Sequence, residues 1–216
     1  TGVPGAVMGM TQALEKYGTM SLKEVMAPAI KLAEEGHVLN YAKEQEYTGG
    51  MEILKRDPSS AAYFLKKDGT PFKKGELFVQ KDLAKTLKKI AKEGAKGFYE
   101  GEIAELIVKE MKSNRGLITL EDLKSYKAIE REVIKGTFRG YDIYSMPPAS
   151  SGGVHLIQML NILEGYDLKS MGHNSADYIH VLVEAMRRAY ADRSEYLGDS
   201  DFFPVPIEKL IDKKYA

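Results

Sequence analysis

The sequence predicts a helix-rich α+β chain, and three observations carry that prediction. Apolar residues recur three or four apart through most of the 216 residues. Capping residues and glycines bracket those runs. Residues 132–145 instead alternate, and they are rich in β-branched and aromatic side chains.

Val7, Met10, Leu14 and Tyr17 mark the first helix, and Gly18 ends it. Ser21 can cap the next, with Glu24 three residues on as a capping box. Leu22, Val25, Met26, Ala29, Ile30 and Ala33 give that helix its apolar face up to Gly36. Pro28 lies inside it, so a kink or break is expected there. Residues 41–54 read as helix interrupted at Gly49-Gly50. Ala62-Tyr-Phe-Leu65 reads as a short extended run, with a tight turn after it at Lys67-Asp-Gly69.

Leu83, Leu87 and Ile90 mark a helix closed by Gly94. Ile103, Leu106, Ile107 and Met111 mark another, closed near Asn114-Arg-Gly116. Thr119 starts a short capped helix. Residues 132–145 should form two strands turning near Arg139-Gly140.

Met146-Pro-Pro-Ala-Ser-Ser-Gly-Gly153 joins strand to helix. Its prolines keep the chain extended, and Ser150 or Ser151 can cap the helix. That helix, from about Val154 to Leu163, is apolar nearly all round, with His155, Gln158 and Asn161 as a thin polar stripe. It should therefore be central and buried. The longest helix spans Ala176 to about Tyr196, with Ile179, Leu182, Val183, Met186 and Tyr190 as its expected buried face. Asp201 to Pro206 is a loop. No repeat, low-complexity segment or Pro/Ser-rich linker divides the chain, so 1–216 reads as one unit.

Composition removes several function classes. The 31 basic and 31 acidic residues balance, which leaves no electrostatic drive toward nucleic acid. Cysteine is absent, which excludes disulfides, thiolate metal sites and a thiol nucleophile. No apolar run approaches the ~20 residues of a membrane span. No metal site and no cofactor are expected.

Ser150, Ser151, Gly152 and Gly153 are the most suggestive local group. Hydroxyls and glycines at a helix N-terminus can hold an anion with the first-turn N–H groups. A bland alternative is that serine caps the helix while glycine permits close backbone approach. The group is neither the G-x-S-x-G elbow nor a phosphate loop. His180 and Glu184 have the i, i+4 spacing of a metal pair but lack a third ligand, so a surface pair is the better reading. His155 reads as a satisfied core or interface histidine. Lysines between Lys85 and Lys96 read as a solvated face. Thr1 has the residue type of an N-terminal nucleophile, but Gly2-Val-Pro-Gly5 after it reads as a turn, and the ends read as cuts through a longer chain. No catalytic residue emerges from this reading.

Several ordered passages resemble the gamma-glutamyltransferase family. They are Thr1-Gly-Val-Pro-Gly5 and Leu14-Glu-Lys-Tyr-Gly18; Ala27-Pro-Ala-Ile-Lys-Leu-Ala33; Gln80-Lys-Asp-Leu-Ala-Lys-Thr-Leu87; Gly97-Phe-Tyr-Glu-Gly101; and Asp122-Leu-Lys-Ser-Tyr126. Later come Met146 to Gly153, Leu160-Asn-Ile-Leu-Glu164, and Ala191-Asp-Arg-Ser-Glu-Tyr-Leu-Gly-Asp199. Ala149 stands where the family more often has a third proline.

The resemblance implies part of the large subunit of an autoprocessed N-terminal-nucleophile hydrolase with an αββα sandwich. It implies a γ-glutamyl substrate, attacked by a threonine that starts the small subunit, outside these residues. Implied partners are that small subunit and an upstream part of the large subunit that carries the carboxylate-gripping arginine. Ser150 to Gly153 become candidates for a cleft wall. Export to the periplasm or exterior is expected. Apolar surface built to meet missing segments should be exposed here, and self-association through it is expected. Alternatives within the resemblance are a poly-γ-glutamate capsule depolymerase, an acylase and an inactive binding homologue.

Overall fold

A computed structural model describes residues 2–216; Thr1, and with it the question of a terminal nucleophile, lies outside the described residues. The chain divides into two compact units, 1–128 and 129–216, where the sequence alone suggested one. The boundary falls in an extended stretch that carries no Pro/Ser-rich signal, so composition could not mark it.

In the first unit the helices are α1 (Ala6–Tyr17), α2 (Leu22–Glu35), α3 (Tyr41–Leu54), α4 (Pro58–Phe64), α5 (Lys81–Glu93), α6 (Lys96–Tyr99), α7 (Gly101–Ser113) and α8 (Leu120–Ser125). Two short strands, β1 (His37–Val38) and β2 (Leu77–Phe78), pair antiparallel.

The caps predicted at Ser21 and Thr119 form. Ser21 accepts from the Glu24 N–H while the Glu24 carboxylate accepts from the Ser21 N–H, and Thr119 and Asp122 repeat the box. Several expectations are revised. Helix α2 is not broken at Pro28 but runs through it as one element, supported by its Ser21 box and its packing on α5. Helix α3 is continuous through Gly49-Gly50. Ala62 to Phe64 are helical, not extended, because Asp57 caps the helix from the Ser60 N–H and Pro58 occupies its first turn. The tight turn at Lys67–Gly69 is present, with Lys66 N–H donating to the Thr70 carbonyl at 2.9 Å.

Two apolar centres hold this unit. Tyr99, Ala104, Val108, Ile118 and Leu123 form one. Phe78, only 2% exposed, gathers His37, Tyr47, Phe64 and Phe72 in the other. Three passages that carried the family resemblance meet at Tyr99. Its hydroxyl donates to the Pro4 carbonyl at 2.5 Å and accepts from the Met8 N–H at 3.2 Å, and its ring stacks on Tyr126. These motifs are therefore architectural. The lysines of α5 lie on the solvated face, where Lys85 pairs with Asp82 and Lys89 with Glu93.

The second unit begins with a hairpin, β3 (Ile134–Phe138) and β4 (Tyr141–Ser145), in the register Ile134 opposite Ser145. Its turn is where the sequence put it. Arg139 and Gly140 both take positive φ, 49° and 87°, as a two-residue hairpin turn demands. The helices after it are α9 (Gly152–Glu164), α10 (Leu168–Met171), α11 (Ala176–Tyr196) and α12 (Ile207–Leu210).

Helix α9 is the centre, as expected. It packs against β3, β4, α11 and α12, and Val154, Ile157 and Leu210 are almost fully buried. Two residues of the Leu160–Glu164 passage tie it down. Asn161 Nδ2 donates to the Ile211 carbonyl at 2.8 Å, and Glu164 accepts from the Arg139 N–H at 2.6 Å. Of the expected face of α11 only Leu182 is half-buried. Ala185 and Ala189 are buried, whereas Ile179, Val183, Met186 and Tyr190 are 40–60% exposed. Small side chains let α11 lie close to α9, and the larger apolar stripe is left uncovered. Exposed apolar surface is also present on α1, where Met10 and Tyr17 are over 70% exposed.

Candidate functional site

The Met146–Gly153 connection is shaped by a close chain reversal. A Cβ on Gly153 would lie 2.0 Å from the Met146 carbonyl oxygen, so no side chain fits there. Gly152 has no such restriction; its nearest neighbour is Ser150 Oγ at 3.4 Å.

The serines do not act as the sequence suggested. Ser151 occupies the N-cap position, but its backbone is already helical and its side chain caps nothing. Its Oγ instead accepts from Arg193 Nε of α11 at 3.2 Å. Ser150 Oγ accepts from the Gly152 N–H at 3.3 Å, a local turn contact. Among the described residues, neither hydroxyl is hydrogen-bonded to a histidine or carboxylate that could act as its base.

Pro147, Pro148, Ala149 and Ser150 form one side of an open cavity of ≈ 620 Å³. Arg131 also lines it and is held by Asp201 in a fork, Nη1 to Oδ1 at 2.8 Å and Nη2 to Oδ2 at 2.5 Å. That hydrogen-bonded guanidinium keeps the Asp201 carboxyl below the usual range. Ser150 thus reaches a cavity wall, while Ser151 and Gly153 serve the α9 junction.

His155 is buried, at 4% exposure, and its ring stacks on Tyr190 at 6.2 Å. It is a core histidine, as expected, but an incompletely satisfied one, because Nε2 has no partner among the described residues. His180 and Glu184 do not form a metal pair. Glu184 accepts from Arg187 at 2.5 Å, which lowers its carboxyl, and no group of three ligating residues exists among the described residues.

A second cavity of ≈ 790 Å³ went unseen in the sequence. Gln158, His180, Glu184, Arg188, Asp192 and Tyr215 are among the residues that surround it. Asp192 accepts there from Gln158 Nε2 and, at 3.1 Å, from the Tyr215 hydroxyl. The polar stripe on α9 was legible; its partners lie 34 and more residues away, so periodicity could not name them. The arrangement can fix helices and shape cavities, but these residues assemble no nucleophile, base and oxyanion donors.

The family profile described as Gamma-glutamyltranspeptidase matches residues 1–216. The chain belongs to this family. It is 52% identical over 217 residues to the glutathione hydrolase proenzyme of Escherichia coli strain K12, covering all of this chain and 37% of that protein. It is 46% identical to the acylase ACY 1 proenzyme of Pseudomonas sp. strain SE83, covering 99% of this chain and 38% of the relative. The Helicobacter pylori gamma-glutamyltranspeptidase crystal structure superposes with a TM-score of 0.97 at 52% identity, over 100% of this chain and 62% of that one. The helix-rich α+β fold is thus that of a gamma-glutamyltranspeptidase segment. The chain spans little more than a third of the curated relatives it matches.

Proposed function

We propose that the complete protein transfers a γ-glutamyl group from glutathione or a related amide to water or to an amino-acid or peptide acceptor. A threonine hydroxyl outside this chain attacks the γ-carbonyl and the amine departs with a proton. The resulting ester then passes its acyl group to water or to an acceptor amine. This chain is the largely helical part of the large subunit, and its partners are the small subunit and the upstream part of the large one. The observation that carries the reading is the match of the whole chain to the family, at 52% identity to a glutathione hydrolase proenzyme. A γ-glutamyl anilide tests it. The complete protein should release the aniline and residues 1–216 alone should not; an inert complete protein, or turnover by this chain alone, refutes the proposal.

Ser150, with Ser151, Gly152 and Gly153 behind it, is assigned to the wall of the substrate cleft. In the complete protein, Ser150→Ala with Ser151→Ala should raise KM for the anilide; a change in stability alone would return these serines to a structural role. Export to the periplasm or exterior is part of the same reading, and cell fractionation checks it.

An acylase reading is favoured by one observation, the 46% identity to an acylase proenzyme. Preference for a β-lactam side-chain amide over the γ-glutamyl anilide would establish it. Cleavage of poly-γ-glutamate would point to a depolymerase, and a complete protein inert toward all three to a binding homologue.

A further inference from the structure

We propose that His155 makes the α9–α11 contact acid-sensitive: protonation of its ring loosens the two helices and frees the Met146–Gly153 connection that Ser151 and Arg193 tie down.

The ring sits where a charge is poorly tolerated. His155 is 4% exposed and lies one turn into α9, at its junction with α11. The Ser151 carbonyl engages the imidazole and favours a proton on the ring. The ring's Nε2 is buried and has no hydrogen-bond partner among the described residues. A neutral imidazole tolerates this, because one nitrogen carries hydrogen and the other only a lone pair. An imidazolium does not, because both nitrogens then donate, and the new N–H at Nε2 would meet no acceptor.

Charge adds to that cost. From α11, Tyr190 stacks on the ring, Arg193 opposes a positive charge there, and Asp192 favours it. Asp192 already accepts from Gln158 with one oxygen and from Tyr215 with the other. The charged groups of the other elements packed on α9 are engaged elsewhere. Lys135 of β3 pairs with Asp142 of β4 and lies over the Tyr144 ring. In α12, Lys209 lies over Tyr196 and Tyr215, and Glu208 is exposed. Burial is the largest influence and pushes the imidazole below its ordinary value of 6.5.

Linkage sets the sign. The folded state refuses a proton that the unfolded chain takes up, so this stabilisation is complete above about pH 6.5 and is lost as pH falls below it. One such proton changes the opening equilibrium by at most about tenfold between pH 7.5 and pH 5.5. Arg193 also donates to Ser151 Oγ, so opening of α9 from α11 releases the N-terminus of α9.

Amide hydrogen exchange on the complete protein at the two pH values, corrected for intrinsic rates, tests this in wild type, His155→Phe and Arg193→Gln. The wild type should show more opening of 152–164 at pH 5.5, by up to about tenfold. His155→Phe should abolish that increment. Arg193→Gln, which removes the opposing charge, should reduce it and serves if the phenylalanine variant does not fold. An unchanged increment in the variants, or acid opening spread evenly over the protein, overturns the proposal.

Discussion

The two units bury their helices against different partners. In residues 2–128 the buried side chains are apolar, with Thr11 the only buried polar one among those described. In residues 129–216, α9 buries His155, Gln158 and Asn161 in a row, and each carries one polar atom without a partner among the described residues. Apolar contacts are forgiving about angle and register. A buried polar row is not, because each group must find its own acceptor or donor at a set distance. The first unit therefore depends on filled volume and on well-made caps. The second depends on close backbone approach and on a few long-range hydrogen bonds: Gln158 with Asp192, Asn161 with Ile211, and Ser151 with Arg193.

Substitutions can break that contrast, beginning with the largest effect. Gly153→Val forces a side chain onto the Met146 carbonyl and should cost about 4 kcal/mol in urea unfolding, with lost exchange protection centred on α9. A tolerated valine would show that the chain reversal is dispensable. Leu123→Ala opens a cavity where the leucine is 0% exposed and should cost about 3 kcal/mol, seen as a lower unfolding midpoint. A loss below about 1 kcal/mol would mean that the first unit repacks more freely than its filled core implies.

The capping serines sharpen the comparison at smaller scale. Ser21→Ala removes a complete capping box and should cost about 1 kcal/mol, whereas Ser151→Ala removes no cap and should cost less. Equal losses would erase the distinction. The smallest effect has the opposite sign. Gly49→Ala has open space around the new methyl and should stabilise α3 by about 0.7 kcal/mol, measured by thermal unfolding.

Local signals were legible wherever the physics is local. Ser21 with Glu24, Thr119 with Asp122, and the turn at Arg139-Gly140 all depend on neighbours within a few residues. Gly49-Gly50 misled, and Pro28 does not break α2, because propensity is weak beside packing and helix continuity. Ala62 to Phe64 misled because the cap that starts that helix, Asp57, precedes the apolar run. At the candidate site, the residue types of Ser150 to Gly153 stood out, but the partner of Ser151 is 42 residues away on α11.

The sequence by itself determined the helix-rich α+β class, the hairpin, most helix ends, the central position of α9 and the family resemblance. Each of these rests on periodicity, capping or ordered motifs. Only the tertiary structure decided that Ser151 bonds to Arg193, that Asp192 gathers Gln158 and Tyr215, and that α11 buries its alanines and leaves its larger apolar stripe exposed. The physical reason is that spacing shows which side chains share a face, while burial depends on which other element comes to cover that face.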